Sequence, residues 1–333
     1  MFRGVRLHAA ARHAAGLIVA AMLLTACGGG GEQVERFVPT RLIAFGDENS
    51  VIVDSGDHNG RKYSVNYATA ASAPGDPDVL DCAQLPIWIQ SLVTFYGLVL
   101  PQCNAAAAAP SALIEAEPGT FAADVTTQVD AFLAAGESFN GKDLVTVLAG
   151  QNDILREYEL IKAGTVTEAQ AIDTLEAAGT ALAAQVNRIG QAGGKVIIAT
   201  VPDMGLTPYA VGEGDEAQTR LSLLSARFNS RLRVGLINDG RMIGLVLLDE
   251  IVQSVVKAAQ RADTNDRLVP VVSPACASAV PACSLTTLNT ATTPAPTALT
   301  IGNWLWSDTT HLGVLGHSQL GSAARSRASN NPF

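Results

Sequence analysis

The chain has 333 residues, 48% of them hydrophobic, with 22 basic and 31 acidic residues and a formal net charge of -9. That is long enough for one large domain or two small ones, with ample material for a core. No basic patch points to nucleic acid.

In chain order, residues 1–27 read as addressing rather than fold. Arg3, Arg6 and Arg12 make a charged start, residues 17–24 an apolar stretch too short for an ordinary membrane span, and Leu24-Thr25-Ala26-Cys27 matches a bacterial lipoprotein cleavage box. This box implies that Cys27 becomes the N-terminal residue and carries a lipid, with residues 28–39 as a flexible tether beginning in four glycines. Gly28, in place of an acidic residue at the second mature position, points to the outer membrane of a Gram-negative cell, facing the periplasm or the surface.

One domain is expected over residues 40–327. Residues 42–45 and 144–149 are short apolar runs ended by glycine, the pattern of strands buried on both faces of a parallel sheet. Helix-like spacing predicts helices over 84–96, 124–135, 154–161, 167–191 and 216–238, with Thr167 as a cap and Gly193-Gly194 as a stop, and a last helix from just after His311 to about 326. Strands are expected over 195–200 and 243–248. Residues 105–109 read as a low-complexity surface loop and 262–300, rich in Pro, Thr, Ser and Ala, as a long excursion. Alternating strands and helices predict an α/β fold, a three-layer α/β/α sandwich with a mainly parallel sheet. Setting Cys27 aside leaves four cysteines, which allow three pairings. Proximity favours Cys82 with Cys103 and Cys276 with Cys283, and neither pair has zinc-type spacing.

Loops after parallel strands gather at the carboxyl edge of the sheet, where open α/β sheets place their ligand crevice. Asp47, Glu48 and Ser50 follow the first run, and Gly150 and Asn152 follow the second. The two groups should meet although about 100 residues separate them. Asp308 and His311, three positions apart, supply an imidazole base and a carboxylate to orient it. The Asn152 amide and the Gly150 N–H are donors suited to an oxyanion, and Asp47 either caps the following turn or positions the site. His317 fits a structural place in the last helix, His58 a solvated turn, and Trp304 and Trp306 either line a pocket or pack the last loop.

The segments Gly46-Asp47, Gly150-x-Asn152-Asp153 and Asp308-x-x-His311 resemble, in order and spacing, the first, third and last blocks of the SGNH/GDSL hydrolases, a family with a flavodoxin-like sandwich that cleaves esters. Softer features agree: Phe45, the segment Gly60-Arg61-Lys62-Tyr63-Ser64-Val65-Asn66, Val201-Pro202-Asp203 and Phe228-Asn229. The resemblance spans roughly residues 40–325. It implies a serine nucleophile two positions after Gly46, where this chain has Glu48. It also implies an oxyanion glycine in a second block, for which only Gly60 and Gly75 offer themselves.

Three readings follow. In the first, a lipid-anchored enzyme hydrolyses acyl esters or acetylated envelope glycans with Asp308/His311 as base and Ser50, in a rearranged turn, as nucleophile. In the second, the site is catalytically silent and binds a glycan or lipid. In the third, Glu48 activates water. The expected partners are an ester or glycan substrate and, through the lipid, a membrane. A monomer is expected, with no cofactor and no metal, since the sequence holds no dinucleotide or phosphate-loop motif and no ligand cluster.

Overall fold

The computed structural model of the protein describes residues 36–54, 60–70, 78–261 and 270–333. Cys27, most of the tether, His58 and Gly75 lie outside the described residues. Five parallel strands form the central sheet in the order β4-β1-β5-β6-β7: β1 Arg41–Gly46, β4 Ala112–Ile114, β5 Asp143–Leu148, β6 Lys195–Ala199 and β7 Ile243–Val246. A short antiparallel pair, β2 Ala68–Thr69 and β3 Val79–Leu80, lies apart from it.

Side chains alternate across a strand, so each central strand feeds two cores. On one face Ile43, Phe45, Val145, Val147, Val196 and Ile198 pack in a cluster with Val129 and Phe132 of α2 (Asp124–Ala134), Leu182 and Val186 of α4 (Glu168–Gln191), and Leu224 and Phe228 of α6 (Asp215–Gly235). Leu42, Ala44, Leu144, Leu148, Ile197 and Ala199 face the other way. Their cluster contains Trp88 and Leu92 of α1 (Trp88–Tyr96), Val252 and Val256 of α7 (Leu248–Arg261), and Leu320 and Ala324 of α8 (Val314–Asn330). The predicted three-layer sandwich is thereby present. The remaining helices are α3 Gln151–Lys162, which opens the loop after β5, and α5 Pro208–Glu213.

Local chemistry moves several boundaries. Helix α1 starts at Trp88 rather than 84, because Pro86 disfavours helical backbone before it, and the Gln90 side chain accepts from the Ile87 N–H. Thr167 does cap α4, in a reciprocal box with Gln170. Helix α6 stops at Gly235, where Asn187 clasps Gly235 O and Ile237 N. Helix α8 continues to Asn330, and Phe37 packs edge-on against Phe333, so packing extends beyond residues 40–327 at both ends. Several elements had no counterpart in the sequence reading: α5, the short pair β2 and β3, edge strand β4, and α7, whose buried Leu248, Val252 and Val256 recur every fourth residue. Both cysteine pairs are disulfides, Cys82–Cys103 and Cys276–Cys283.

Gly46 closes β1 with φ of 123°, and the Asp47 N–H then donates to Leu148 O on β5 at 2.9 Å. A Cβ at Gly46 would stand 1.9 Å from that same oxygen. Gly136 also has positive φ, 89°, but a Cβ there meets nothing within 4 Å. Gly136→Ala should therefore cost about 1 kcal/mol of strain alone, and Gly46→Ala ~4 kcal/mol or more. Urea unfolding of the two variants checks the contrast.

Candidate active site

Three loops meet at the carboxyl edge. The first is the 3-10 turn Glu48–Ser50, capped by Asp47, whose Oδ1 accepts from Asn49 N and Asn49 Nδ2 at 3.0 Å each. The second is the start of α3, where Gly150 lets the chain turn with φ of 120° against Phe228, whose ring would lie 2.3 Å from a Cβ. The third is the late loop 307–311, closed by Ser307 N and Ser307 Oγ donating to His311 O.

Together they make a linear array. Asp308 accepts the His311 backbone N–H at 2.8 Å, and both its oxygens lie 2.9 Å from His311 Nδ1. On the other side of the ring, Nε2 is 3.2 Å from Glu48 Oε1. The second oxygen of Glu48, Oε2, accepts from Asn152 Nδ2 and from the Gly119 N–H, each at 3.0 Å. Glu48 is 4% exposed, while its partners Asn152 and Gly119 are half-buried and exposed.

The charges follow from this packing. Burial opposes a charged imidazole, but the hydrogen bonds and charges of Asp308 and Glu48 outweigh it and push His311 up to about 10. Burial likewise works against ionised Asp308, yet its bonds to His311 and to backbone N–H groups hold it down to about 2. Glu48 is lowered for the same reason: the desolvation cost is outweighed by His311, by its own backbone N–H and by Asn152. Asp47 has no such cation in contact. Its burial, reinforced by the charge of Glu48, holds it well above the usual carboxylate range. At neutral pH the array is therefore carboxylate, imidazolium, carboxylate.

Of the residues expected here, Glu48, Asn152, Asp308 and His311 come together. Ser50 does not. Residues two apart on a three-residue turn point in different directions, and Ser50 Oγ is buried beneath the site, accepting from Trp88 Nε1 at 3.1 Å. It is therefore no partner of His311. Asp47 acts as a cap, not as a donor to the site. The expected oxyanion donor Gly150 is needed for its missing Cβ, and the glycine that donates is Gly119, on the loop after β4. Of the two glycines proposed from the sequence, Gly60 donates instead to Val53 O, and Gly75 lies outside the described residues. The signal for Gly119 was the Pro118-Gly119-Thr120 turn after a short apolar stretch, hidden inside an apparent insertion.

Side chains of α2 and α3 hold that loop, among them Gln128, which the sequence reading passed over. Asn152 Nδ2 also donates to Thr120 O, and Asp153 Oδ2 accepts from Ala122 N. Gln128 of α2 exchanges hydrogen bonds with both the N–H and the C=O of Gly46 and donates to Thr120 Oγ1. On the imidazole side, Ser64 Oγ donates to Leu312 O, and Asn66 ties the same segment to Pro281 and Cys283. His317 is fully buried, held down to about 3 by burial, in the structural place expected of it. Trp304 and Trp306 are packed inside, Trp306 donating to Val271 O. Among the described residues no cluster of three or more His, Cys, Asp or Glu is placed to hold a metal ion.

Residues 42–323 match the sequence model of the GDSL-like lipase/acylhydrolase family. The chain belongs to that family. Solved structures similar to it include an acetylxylan esterase from Geobacillus stearothermophilus, at 14% identity and a TM-score of 0.45, covering 89% of this chain and 98% of that one. A phospholipase A1 from Streptomyces albidoflavus NA297 is 15% identical, with coverage of 87% and 99% and a TM-score of 0.44. A lipolytic protein of the G-D-S-L family from Veillonella parvula DSM 2008 is 12% identical, with coverage of 86% and 96% and a TM-score of 0.40. No curated protein matches the chain. Assignment to the GDSL family of ester hydrolases rests on the matched sequence.

The array makes stability depend on pH in a defined direction. The folded state holds the His311 proton more tightly than the unfolded chain does, so its contribution is complete below the ordinary histidine value of about 6.5 and is lost as pH rises through about 10. The contribution of Asp308 is complete above the ordinary aspartate value, about 3.9, and is lost as pH falls through about 2. Urea midpoints should therefore decline from near-neutral to alkaline pH. In Glu48→Gln, where Asp308 alone holds the imidazolium, the His311 ring resonances should titrate at lower pH than in the native chain.

Proposed function

We propose that this protein is a lipid-anchored, cell-envelope member of the GDSL hydrolases in which Glu48 stands where the family's serine stands, and that serine acyl transfer is switched off. The observation that carries this reading is the placement of the Glu48 carboxylate. One oxygen meets the imidazole and the other takes two donors of the kind that receive an ester's oxyanion. An ester carbonyl entering the site would find those donors engaged. It would also find His311 protonated and so unable to act as a base. The buried carboxylate is thus a built-in occupant of the ester site. The anchoring part of the proposal rests on the charged start, the apolar stretch and the Leu24-Thr25-Ala26-Cys27 box.

The rest of the machinery is retained: Asp308 orients His311, and Asn152 and Gly119 face the same point. Replacing the carboxylate by a hydroxyl frees the donors and removes the charge that keeps the imidazole protonated. Glu48→Ser should therefore gain hydrolysis of nitrophenyl acetate, at least ~100-fold over the native chain. Adding Asn152→Ala should cut kcat by ~100-fold or more. Equal turnover by native protein and Glu48→Ser, or no gain in a Glu48→Ser chain that melts normally, would overturn the reading. Acetylated glycans and short acyl esters are the substrates to compare in that variant.

A further inference from the structure

The groups around Glu48 suit more than a resting charge. Oε2 is pinned by the Gly119 N–H and the Asn152 amide, while Oε1 has one side-chain donor, His311 Nε2. Oε1 therefore keeps an electron pair. A carboxylate needs no base to become a nucleophile. Its attack on an acyl group yields a reactive anhydride, but its attack on a saturated carbon yields an ordinary ester. Such an ester persists until water is activated against it, which is what a neutral imidazole backed by a carboxylate does. The oxyanion of that second step would form on Oε2, already beside its two donors.

Tyr63 completes the set. Its ring centroid is 6.4 Å from that of His311, and burial together with the charge of Glu48 raises its pKa, keeping the phenol protonated. A neutral phenol on this side of the imidazole, near enough to feel the charge of Glu48, can give a proton to an oxygen leaving group. That favours a leaving oxygen over a halide, which needs no proton.

We infer that Glu48 is a covalent nucleophile toward a strained cyclic ether, an epoxide, in a two-step hydrolysis that passes through a glutamyl ester. This deepens the reading above, since it requires Glu48 at the nucleophile's position. In the first step Oε1 bonds to an epoxide carbon, the carbon–oxygen bond of the ring breaks, and the departing oxygen takes the Tyr63 proton. The imidazolium restores that proton to Tyr63, leaving His311 neutral. Esterification removes the negative charge that had kept the ring protonated. In the second step His311 takes a proton from water, hydroxide adds to Cδ, and the intermediate collapses with loss of the alkoxide, which takes the proton from His311. The diol leaves with the original Oε1, and the new Glu48 carboxyl, carrying an oxygen from water, returns its proton to the imidazole. The sum is epoxide plus water giving diol.

Propylene oxide is small enough to serve as the probe for this nearly buried carboxylate. The native full-length protein should convert it to diol. His311→Gln should accumulate one adduct, mapped by peptide mass spectrometry to Glu48, and Glu48→Gln should form none there. A single turnover in water enriched in heavy oxygen should place the label in Glu48 rather than in the diol. A His311→Gln chain that melts normally but shows no Glu48 adduct would overturn the inference, as would label appearing in the diol alone. Either failure leaves the ester-silent reading standing if Glu48→Ser gains ester turnover. Failure of Glu48→Ser with adduct formation intact would overturn the ester-silent reading alone.

Discussion

The contact between Glu48 and His311 joins residues 263 positions apart at one edge of the sheet. Two carboxylates flank one imidazolium there, all three largely withdrawn from water. Burying charges costs several kcal/mol per ion unless each is paired and its remaining atoms are hydrogen-bonded. The array meets that condition on Glu48, where each oxygen has a donor, and on Asp308, whose Oδ1 also takes the N–H groups of Thr310 and His311. Removing the imidazole would leave two buried carboxylates uncompensated. This is why the rest of the site is best understood as machinery that holds this array in place.

That machinery runs through backbone as much as side chains. Gly46 lets β1 end hard against β5, so that Asp47 caps a turn whose first residue is Glu48. Gln128 grips both polar groups of Gly46 and also reaches Thr120. Asn152 and Asp153, adjacent on α3, hold the loop carrying Gly119 from the other side. A donor N–H thus belongs to a loop fixed by three side chains, which preorganises it at no cost when charge moves. Asp47 is the exception in this network. Among the described residues its Oδ2 finds no hydrogen-bond partner, and burial together with the charge of Glu48 raises its pKa.

The same arrangement keeps the charge of Glu48 apart from what holds the fold. The sandwich depends on the two cores either side of the sheet, and Glu48 belongs to neither. Its charge is felt only where the loops converge. There the charge of Glu48, with that of Asp308, holds the His311 ring protonated.

The α/β architecture, most of the helices and the grouping of Glu48, Asn152, Asp308 and His311 were legible in the amino-acid order. Apolar periodicity records which faces are buried, and loops after parallel strands necessarily share an edge. Gly119 was not legible, because β4 is three residues long and its pairing with β1 is a long-range contact that leaves little local pattern. Nor was the fate of Ser50, which depends on how a single 3-10 turn directs side chains two residues apart. Charge was equally hidden. Residue types name the ionisable groups, but burial and distance decide which of them holds the proton, and both are properties of the folded chain alone.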